Sequence, residues 1–319
     1  MKSTSLLAGL AALALSVAPA WAADTLRVGD QRGGSRALME AAGVLKDLPY
    51  KVEWSEFPAA APLLEALNAE AIDTGIVGDA PFTFAAASGV PIKAIMATRS
   101  NQSGLAILVR PDSPIRSVED LKGKRIGTGR GSIGHQLVLA ALEDAKLPKS
   151  AVTLNFLLPA DAKAALTSGS LDAWSTWEPY TSQLVLSGEA RIVRDGQGIT
   201  PGFGFQAAHV DAIKAKRPEL EDFVHRLAKA RVWASANNES YAETWSKLIG
   251  LPKEIPFRWF TTANVQPVAI DADVVAGEQA TIDLYARNGL IPKALKASEI
   301  LDPSFNGAVL SGAQEALLR

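Results

Sequence analysis

The chain has 319 residues, of which 48% are hydrophobic and 21% are charged, a composition typical of a globular protein. Its length corresponds to roughly two lobes of ordinary size. The 32 Lys and Arg residues and 34 Asp and Glu residues give a formal net charge of -2, without the basic excess of a duplex nucleic-acid binder. Because the chain has no cysteine, disulfides, thiol nucleophiles, zinc–thiolate sites and iron–sulfur clusters are excluded.

The first 22 residues have the pattern of a cleavable export signal. Lys2 provides the positive start, residues 6–17 (LLAGLAALALSV) are almost entirely apolar, and Ala20-Trp21-Ala22 matches an A-x-A cleavage site. The alternative is a membrane anchor, but the apolar run is too short for a helix that spans the roughly 30 Å of a bilayer. We therefore predict cleavage after Ala22 and a mature protein in the periplasm, with no cysteine for a lipid anchor.

Two stretches of the chain repeat at a nearly constant spacing. Residues 26–33 (LRVGDQRG) align with residues 124–131 (KRIGTGRG), and Ile72-Asp73 aligns with Leu171-Asp172. Each half is predicted to form a strand, a Gly-rich loop, a helix, a strand, a helix, a strand, an acidic residue and a further helix. Such a repeat predicts two α/β lobes with mostly parallel sheets, whose ligands bind at the carboxyl ends of the strands.

The connections between the two lobes are predicted from apolar runs. Residues 105–109 form a buried-strand run that leads into the second half, and residues 203–208 form another that leads back. We assign residues 23–108 and 206–319 to lobe 1 and residues 109–205 to lobe 2. After Pro218 the apolar residues follow the helical period, so the tail is expected to be helical and to pack on lobe 1.

The two Gly-rich loops are the strongest candidates for an anion site. The loop 129–135 (GRGSIGH) precedes a predicted helix, where Ser132 can cap the helix and free N–H groups favour an anion. Residues 31–35 (QRGGS) occupy the matching place in the first half. Neither loop ends in the Gly-Lys-Ser/Thr of a P-loop or completes a dinucleotide fingerprint, so nucleotide binding is not indicated. Two ordinary capped turns are the alternative.

Acidic and aromatic side chains stand at two other predicted helix starts. Asp79 and Glu178 each lie next to a proline, where they either face the cleft as hydrogen-bond acceptors or cap their helices. Trp177 adjoins Glu178 and is predicted to form a wall of the cleft, whereas Trp174 is expected in the core. His135 either contacts the ligand or lies on a helix face.

Catalytic and metal-binding motifs are missing from the sequence. The chain has neither a G-x-S-x-G elbow nor an H-E-x-x-H motif, and its three histidines are not at metal-ligand spacing. Ser132 and His135 are three residues apart at a helix start, which does not provide the nucleophile–base–orienter geometry. These absences favour a binding protein without metal or cofactor over an enzyme.

The motifs together resemble the periplasmic aliphatic sulfonate-binding proteins, the solute-binding components of ABC importers within the wider nitrate/sulfonate/taurine-binding group. The resemblance covers nearly the whole predicted mature chain. It is carried by residues 26–29 (LRVG), 54–59 (WSEFPA), 64–68 (LEALN), 72–73 (ID), 78–81 (GDAP), 117–124 (SVEDLKGK), 159–162 (PADA) and 171–180 (LDAWSTWEPY).

This resemblance implies an α/β, type II-like periplasmic binding protein fold: two lobes, each a mixed and mostly parallel sheet flanked by helices, joined by two crossover strands. It also implies a cleft that closes on a small organic anion, no catalysis, and delivery to the permease and ATPase of an ABC importer by a monomer. With the loop chemistry, it predicts ligand contacts from Gln31, Arg32, Gly78, Asp79, Gly131, Ser132, Ile133, His135, Trp177 and Glu178.

Departures from the family pattern leave the ligand's tail open. Asp30 and Arg32 flank Gln31, and the loop GSIGH lacks hydroxyls that related loops carry. A sulfonate, permanently ionised with three acceptor oxygens, suits N–H and hydroxyl donors. Taurine, nitrate, a sulfate ester or an aromatic sulfonate are the alternative ligands. An enzyme resembling those of thiamine-pyrimidine synthesis is a further alternative, opposed by the absent cysteine and by the export signal.

Overall fold

The structure is a computed structural model that describes residues 25–32, 34–292 and 295–318. The predicted export signal, residues 1–22, and its cleavage after Ala22 lie outside the described residues. Within the described ranges, no helix has both the length and the apolar character needed to cross a membrane.

Eleven strands and thirteen α-helices make up the described part of the chain. The strands are β1 (Thr25–Gln31), β2 (Lys51–Phe57), β3 (Thr74–Gly78), β4 (Ile92–Arg99), β5 (Ala106–Val109), β6 (Arg125–Thr128), β7 (Thr153–Phe156), β8 (Ala173–Thr176), β9 (Arg191–Asp195), β10 (Phe203–His209) and β11 (Gln266–Val268). The helices are α1 (Gly34–Ala41), α2 (Ala60–Asn68), α3 (Asp79–Ala87), α4 (Ile133–Asp144), α5 (Pro159–Ser168), α6 (Tyr180–Leu186), α7 (Val210–Ala215), α8 (Arg217–Ala236), α9 (Asn238–Ile249), α10 (Glu254–Ala263), α11 (Ala272–Arg287), α12 (Ala297–Ile300) and α13 (Asn306–Leu317).

The strands form two mixed sheets with matching orders. The first sheet runs β2-β1-β3-β10-β4-β11, and the second runs β7-β6-β8-β5-β9. In each sheet the three strands of the repeat are parallel, and the next strand, β10 or β5, is antiparallel to its neighbours. The two-lobed α/β fold predicted from the sequence is therefore confirmed.

The crossings between the sheets differ from the predicted lobe boundaries. β5 pairs with β8 and β9 in the second sheet, so the chain changes sheets before residue 106 rather than after residue 108. β10 pairs with β3 and β4 from Phe203 onward, so the predicted boundary after residue 205 falls inside a strand of the first sheet. Both runs are apolar because they are inner strands, buried by helices on both faces.

Helices cover the first sheet on both faces with two separate groups of apolar side chains. On one face α2, α3 and α11 pack around Leu63, Phe82 and Ile282. On the other face α1, α8, α9 and α13 pack around Phe223 and Trp245. The helices that follow Pro218 thus pack on the first sheet, as their periodicity predicts.

The sequence repeat corresponds to a repeated ion pair. Asp73 accepts the backbone N–H of Arg27 and pairs with its guanidinium at 2.6 Å. Asp172 accepts the backbone N–H of Arg125 and pairs with its guanidinium at 3.1 Å. Each pair ties the start of a parallel strand to the turn before its neighbour, which explains why both residue types recur at the same spacing.

Candidate functional site

Four strand-to-helix turns, two from each sheet, meet at one cavity of about 200 Å³. They join β1 to α1, β3 to α3, β6 to α4 and β8 to α6. The polypeptide leaves the carboxyl end of a strand at each turn, which is where open α/β sheets bind ligands. Seven of the ten predicted ligand-binding residues line this cavity: Gln31, Arg32, Gly78, Ser132, Ile133, Trp177 and Glu178.

The turn after β1 is stabilised by a carboxylate of the chain itself. Buried Asp30 accepts the backbone N–H groups of Gln31, Ser35 and Arg36 at 2.9, 3.1 and 2.8 Å. Burial raises the pKa of Asp30 to about 6, although these N–H donors oppose the shift. The anion position at the start of α1 is therefore already occupied by the Asp30 carboxylate.

The turn after β6 has the features expected of an anion cradle. Ser132 caps α4, because its Oγ accepts the backbone N–H of His135 at 3.2 Å. The next two residues, Ile133 and Gly134, are the first helical positions, and helix geometry gives their N–H groups no intrahelical acceptor. Together with the helix dipole, this arrangement favours a negatively charged group near Ser132.

Glu178 is a buried acid at the cavity. Its carboxylate accepts the backbone N–H and the hydroxyl of Ser182 at 3.0 and 2.8 Å. Burial raises the pKa of Glu178 to about 7, against the opposing effect of those bonds and of the nearby Arg258. A side chain on Gly104 would place its Cβ 2.6 Å from Cγ of Glu178 and 3.2 Å from the Trp259 ring, so glycine is needed for this close packing.

The two halves of the cavity touch at a glycine. A Cβ on Gly78, at the end of β3, would lie 2.4 Å from Cγ2 of Ile133, at the start of α4. Behind this contact the halves are joined by buried hydrogen bonds. Gln136 donates to Asp79 at 3.0 Å and to Thr281 at 2.8 Å. The structure therefore shows the two lobes in contact around the cavity.

Three predicted ligand-binding residues, Asp79, Gly131 and His135, do not line the cavity, which corrects that expectation. The Asp79 carboxylate is turned to Gln136 and to Thr281, which donates its hydroxyl hydrogen at 3.0 Å. Its pKa is raised, because burial outweighs these hydrogen bonds. A helix turns by about 100° per residue, so the position after Gly78 faces a different neighbour.

His135 and Gly131 pack against aromatic rings at the turn before α4. The His135 ring lies 5.1 Å from the ring of Phe156 and 6.2 Å from that of Tyr285, and its Nδ1 accepts the N–H of Gly131 at 3.2 Å. Burial lowers the pKa of His135 to about 4, so it is neutral at pH 7. Gly131 has a φ of 67° and lies against the Phe84 ring, two reasons for glycine here.

Sequence reasoning missed the lining residues that come from the tail and the crossovers. The tail contributes Arg231, Trp245 and Trp259, and the crossover regions contribute polar residues such as Ser100 and Gln102. Neither segment belongs to the repeat. The many aromatic residues in α9 and α10 were the available signal. Helical periodicity alone does not show whether such residues line a cavity or pack in the core.

One group of possible metal ligands lies outside the cavity lining. The ligand atoms of Glu70, His209 and Asp211 are within 4.8 Å of one another. However, His209 Nδ1 accepts the backbone N–H of Asp211 at 3.2 Å, and the Asp211 carboxylate pairs with Lys214 at 2.9 Å. Because two of the three groups already have protein partners, we assign no metal to them.

The paired sheets, two crossovers and shared cavity are those of the periplasmic binding protein fold. A Candida albicans gene product described as having the generic form of that fold matches with a TM-score of 0.72 over 88% of this chain and 96% of its own, at 16% identity. At this level of identity the likeness shows the fold alone.

The chain belongs to the NMT1/THI5-like family, whose model matches residues 51–240. It is 32% identical, over 90% of this chain and 92% of the relative, to an Escherichia coli (strain K12) protein named as an aliphatic sulfonates-binding protein. The resemblance drawn from the sequence motifs is thereby confirmed.

Solved structures of similar proteins agree with this family assignment. The alkanesulfonate-binding protein SsuA from Xanthomonas axonopodis pv. citri, bound to MOPS, is 32% identical with a TM-score of 0.82 over 87% of this chain and 98% of its own. The periplasmic aliphatic sulphonate binding protein SsuA from Escherichia coli is 31% identical with a TM-score of 0.77 over 87% and 97%. The desulfurization enzyme DSZB, at 18% identity and a TM-score of 0.66 over 90% and 99%, shares the fold alone.

Proposed function

We propose that this protein is the extracytoplasmic solute-binding component of an ABC importer, which captures aliphatic sulfonates and delivers them for sulfur acquisition. The observation that carries the proposal is the meeting of four helix-start turns, two from each sheet, at one cavity. The relatives and solved structures at 31–32% identity are named for sulfonate binding, and this supports the same ligand class here.

The chemistry of the lining suits a sulfonate. Ser132 and the free N–H groups at the start of α4 offer hydrogen-bond donors to a permanently ionised group with three acceptor oxygens. Arg32 adds positive charge, and Trp177 offers an apolar surface to an alkyl tail. A cavity of about 200 Å³ has room for a small organic anion rather than a polymer.

The ligand is proposed to leave the protein unchanged. The chain has no cysteine to act as a nucleophile, and the histidine nearest to the cavity, His135, is buried against aromatic rings. Export to the periplasm, a monomeric state, and partnership with a permease and an ATPase belong to the same proposal. The predicted export signal and the periplasmic SsuA relative support it.

The proposal is tested by ligand binding to the purified mature chain. Ethanesulfonate and longer alkanesulfonates are expected to bind with a micromolar Kd, about 8 kcal/mol, and to stabilise the protein by about 2.7 kcal/mol at a hundredfold excess over Kd. Calorimetry and thermal shift measure both, with propionate, taurine, nitrate and sulfate as competitors. If no sulfonate binds at millimolar concentration, or if mass spectrometry shows the recovered ligand altered, the proposal fails.

A double variant of two lining residues tests the proposed ligand contacts. We expect Ser132→Ala combined with Arg32→Ala to weaken sulfonate binding by about 2 kcal/mol, because a hydroxyl donor and a positive charge are lost. The matched control is Ser168→Ala with Arg36→Ala, which removes the same groups from exposed sites where Arg36 pairs with Glu40. Equal affinity of the two double variants would remove Ser132 and Arg32 from the site.

A further inference from the structure

Arg231 is a buried arginine without an acidic partner. It lies on α8 and lines the cavity, and it is 7% exposed. None of the ion pairs among the described residues involves Arg231, and its Nε has no hydrogen-bond partner. A buried charge of this kind is costly unless it is paired, so an acceptor from outside the chain is expected.

The acids of the cavity do not fill that role. The Asp30 carboxylate accepts three backbone N–H groups of its own turn. The Glu178 carboxylate accepts both the N–H and the hydroxyl of Ser182. The hydroxyl of Tyr241, beside the Arg231 guanidinium, is uncharged at pH 7 and donates its hydrogen to the carbonyl oxygen of Gly34 at 2.8 Å. The guanidinium charge therefore remains available to a ligand.

Arg231 and the start of α4 reach the cavity from opposite sides of the first sheet. α8 packs on the face of the first sheet that contains Phe223 and Trp245, and Trp259 packs there too. Ile133, at the start of α4, packs on the opposite face with the side chains of α3 and α11. The same cavity is therefore lined by a helix start on one side of the sheet and by a guanidinium on the other.

We propose that Arg231 forms a second anion subsite, so that the preferred ligands are sulfonates that carry a second acidic group, either a carboxylate or another sulfonate. The inference rests on the proposed function, in which the first sulfonate lies at the start of α4. A guanidinium matches two oxygens of either acidic group with paired N–H donors, which makes the contact both strong and directional.

The test compares three ligands that share a two-carbon chain next to the sulfonate by calorimetry: ethanesulfonate, 3-sulfopropanoate and ethane-1,2-disulfonate. The wild-type protein is expected to bind the two diacids about tenfold more tightly than ethanesulfonate. Arg231→Met should abolish that preference, because it should lower the affinity for the two diacids about tenfold more than the affinity for ethanesulfonate. Its melting temperature without ligand should not fall, because an unpaired buried charge is replaced by an apolar side chain of similar length.

Two further variants serve as controls, and the results distinguish failure of the second subsite from failure of the proposed function. Lys229→Met removes a charge from the same helix, where Lys229 pairs with Glu315 outside the lining, and it should leave the preference unchanged. Arg231→Lys keeps the charge and should retain part of the preference, even if Arg231→Met does not fold. Equal wild-type affinities for all three ligands, or an equal loss for all three in Arg231→Met, would overturn the second subsite. Binding of no sulfonate at all would instead overturn the proposed function, and the subsite with it.

Discussion

Burial controls the charge of Glu178, and this has a consequence for ligand binding. Its pKa is raised to about 7, so near neutral pH the carboxyl group is partly protonated. Deprotonation places a negative charge in the cavity that is proposed to hold an anion. Like charges in a partly buried site repel each other more strongly than they do in water.

We expect sulfonate affinity to fall as the pH rises from 6 to 8. Over this range Glu178 passes from mostly protonated to mostly ionised, and repulsion of about 1 kcal/mol would weaken binding roughly fivefold. Glu178→Gln, measured by calorimetry across the same range, should bind with an affinity that no longer depends on pH.

The stability of the ligand-free protein gives an independent check on the sign. The folded protein keeps the Glu178 proton up to about pH 7, whereas the unfolded chain releases it near pH 4.5, the ordinary pKa of a glutamate. This contribution to stability is therefore full below pH 4.5 and is lost as the pH rises through 7. Glu65→Gln, at an exposed position, is the matched control. A wild-type pH dependence that survives unchanged in Glu178→Gln would contradict the assignment.

The two copies of the strand–turn unit contain equivalent ion pairs that differ in their exposure to solvent. Asp73 is 3% exposed and accepts from Lys216 at 2.7 Å as well as from Arg27. Burial alone would raise the pKa of Asp73, but the hydrogen bonds from Arg27 and Lys216 bring it below its usual value. Asp172, in the equivalent place, is 26% exposed and pairs with Arg125 alone.

Equivalent substitutions in the two units should therefore have unequal effects. Asp73→Asn is expected to lower the free energy of unfolding by about 3 kcal/mol, because it removes the buried charge that Arg27 and Lys216 share. Asp172→Asn should cost about 1 kcal/mol or less, since its pair is closer to solvent. Urea denaturation at pH 7 measures both, and the two variants control each other. Equal losses would show that burial does not distinguish the two pairs.

At the level of the two lobes, the contact between Gly78 and Ile133 limits how closely they approach. The backbone φ of Gly78 is -73°, which any residue tolerates, so a substitution there acts through space and not through strain. An alanine Cβ would lie 2.4 Å from Ile133 Cγ2, well inside van der Waals contact. The lobes would have to separate, or Ile133 would have to move.

Gly78→Ala is therefore expected to weaken sulfonate binding by about 1–3 kcal/mol, the usual cost of overpacking, with less change in the stability of the ligand-free protein. The double variant Gly78→Ala/Ile133→Ala removes the opposing methyl group and should recover much of the lost affinity. Calorimetry gives the coupling energy of this double-mutant cycle. Additive losses, with no recovery in the double variant, would show that the two turns do not limit closure.

The site residues that the sequence predicted are those that lie at the turns of the repeated unit. Gln31, Gly78, Ser132 and Glu178 were found because a Gly-rich loop or a Pro-flanked acid marks the end of each parallel strand, and the structure places all four at the cavity. Their contacts with a ligand remain predictions. Asp79 shows the limit of this reasoning, since its neighbour Gly78 lines the cavity while Asp79 itself pairs with Gln136.

What the sequence by itself determined was local and periodic: the α/β class, the duplicated strand–loop–helix unit and the residues at its turns. These follow from patterns within a few residues or at one repeat spacing. Only the tertiary structure decided that the crossover strands belong to the opposite sheets and that tail residues such as Arg231 and Trp245 complete the cavity. Trp245 donates to the backbone of Arg32, 213 residues earlier, and no local pattern specifies a contact across that distance, because it depends on how the assembled layers pack.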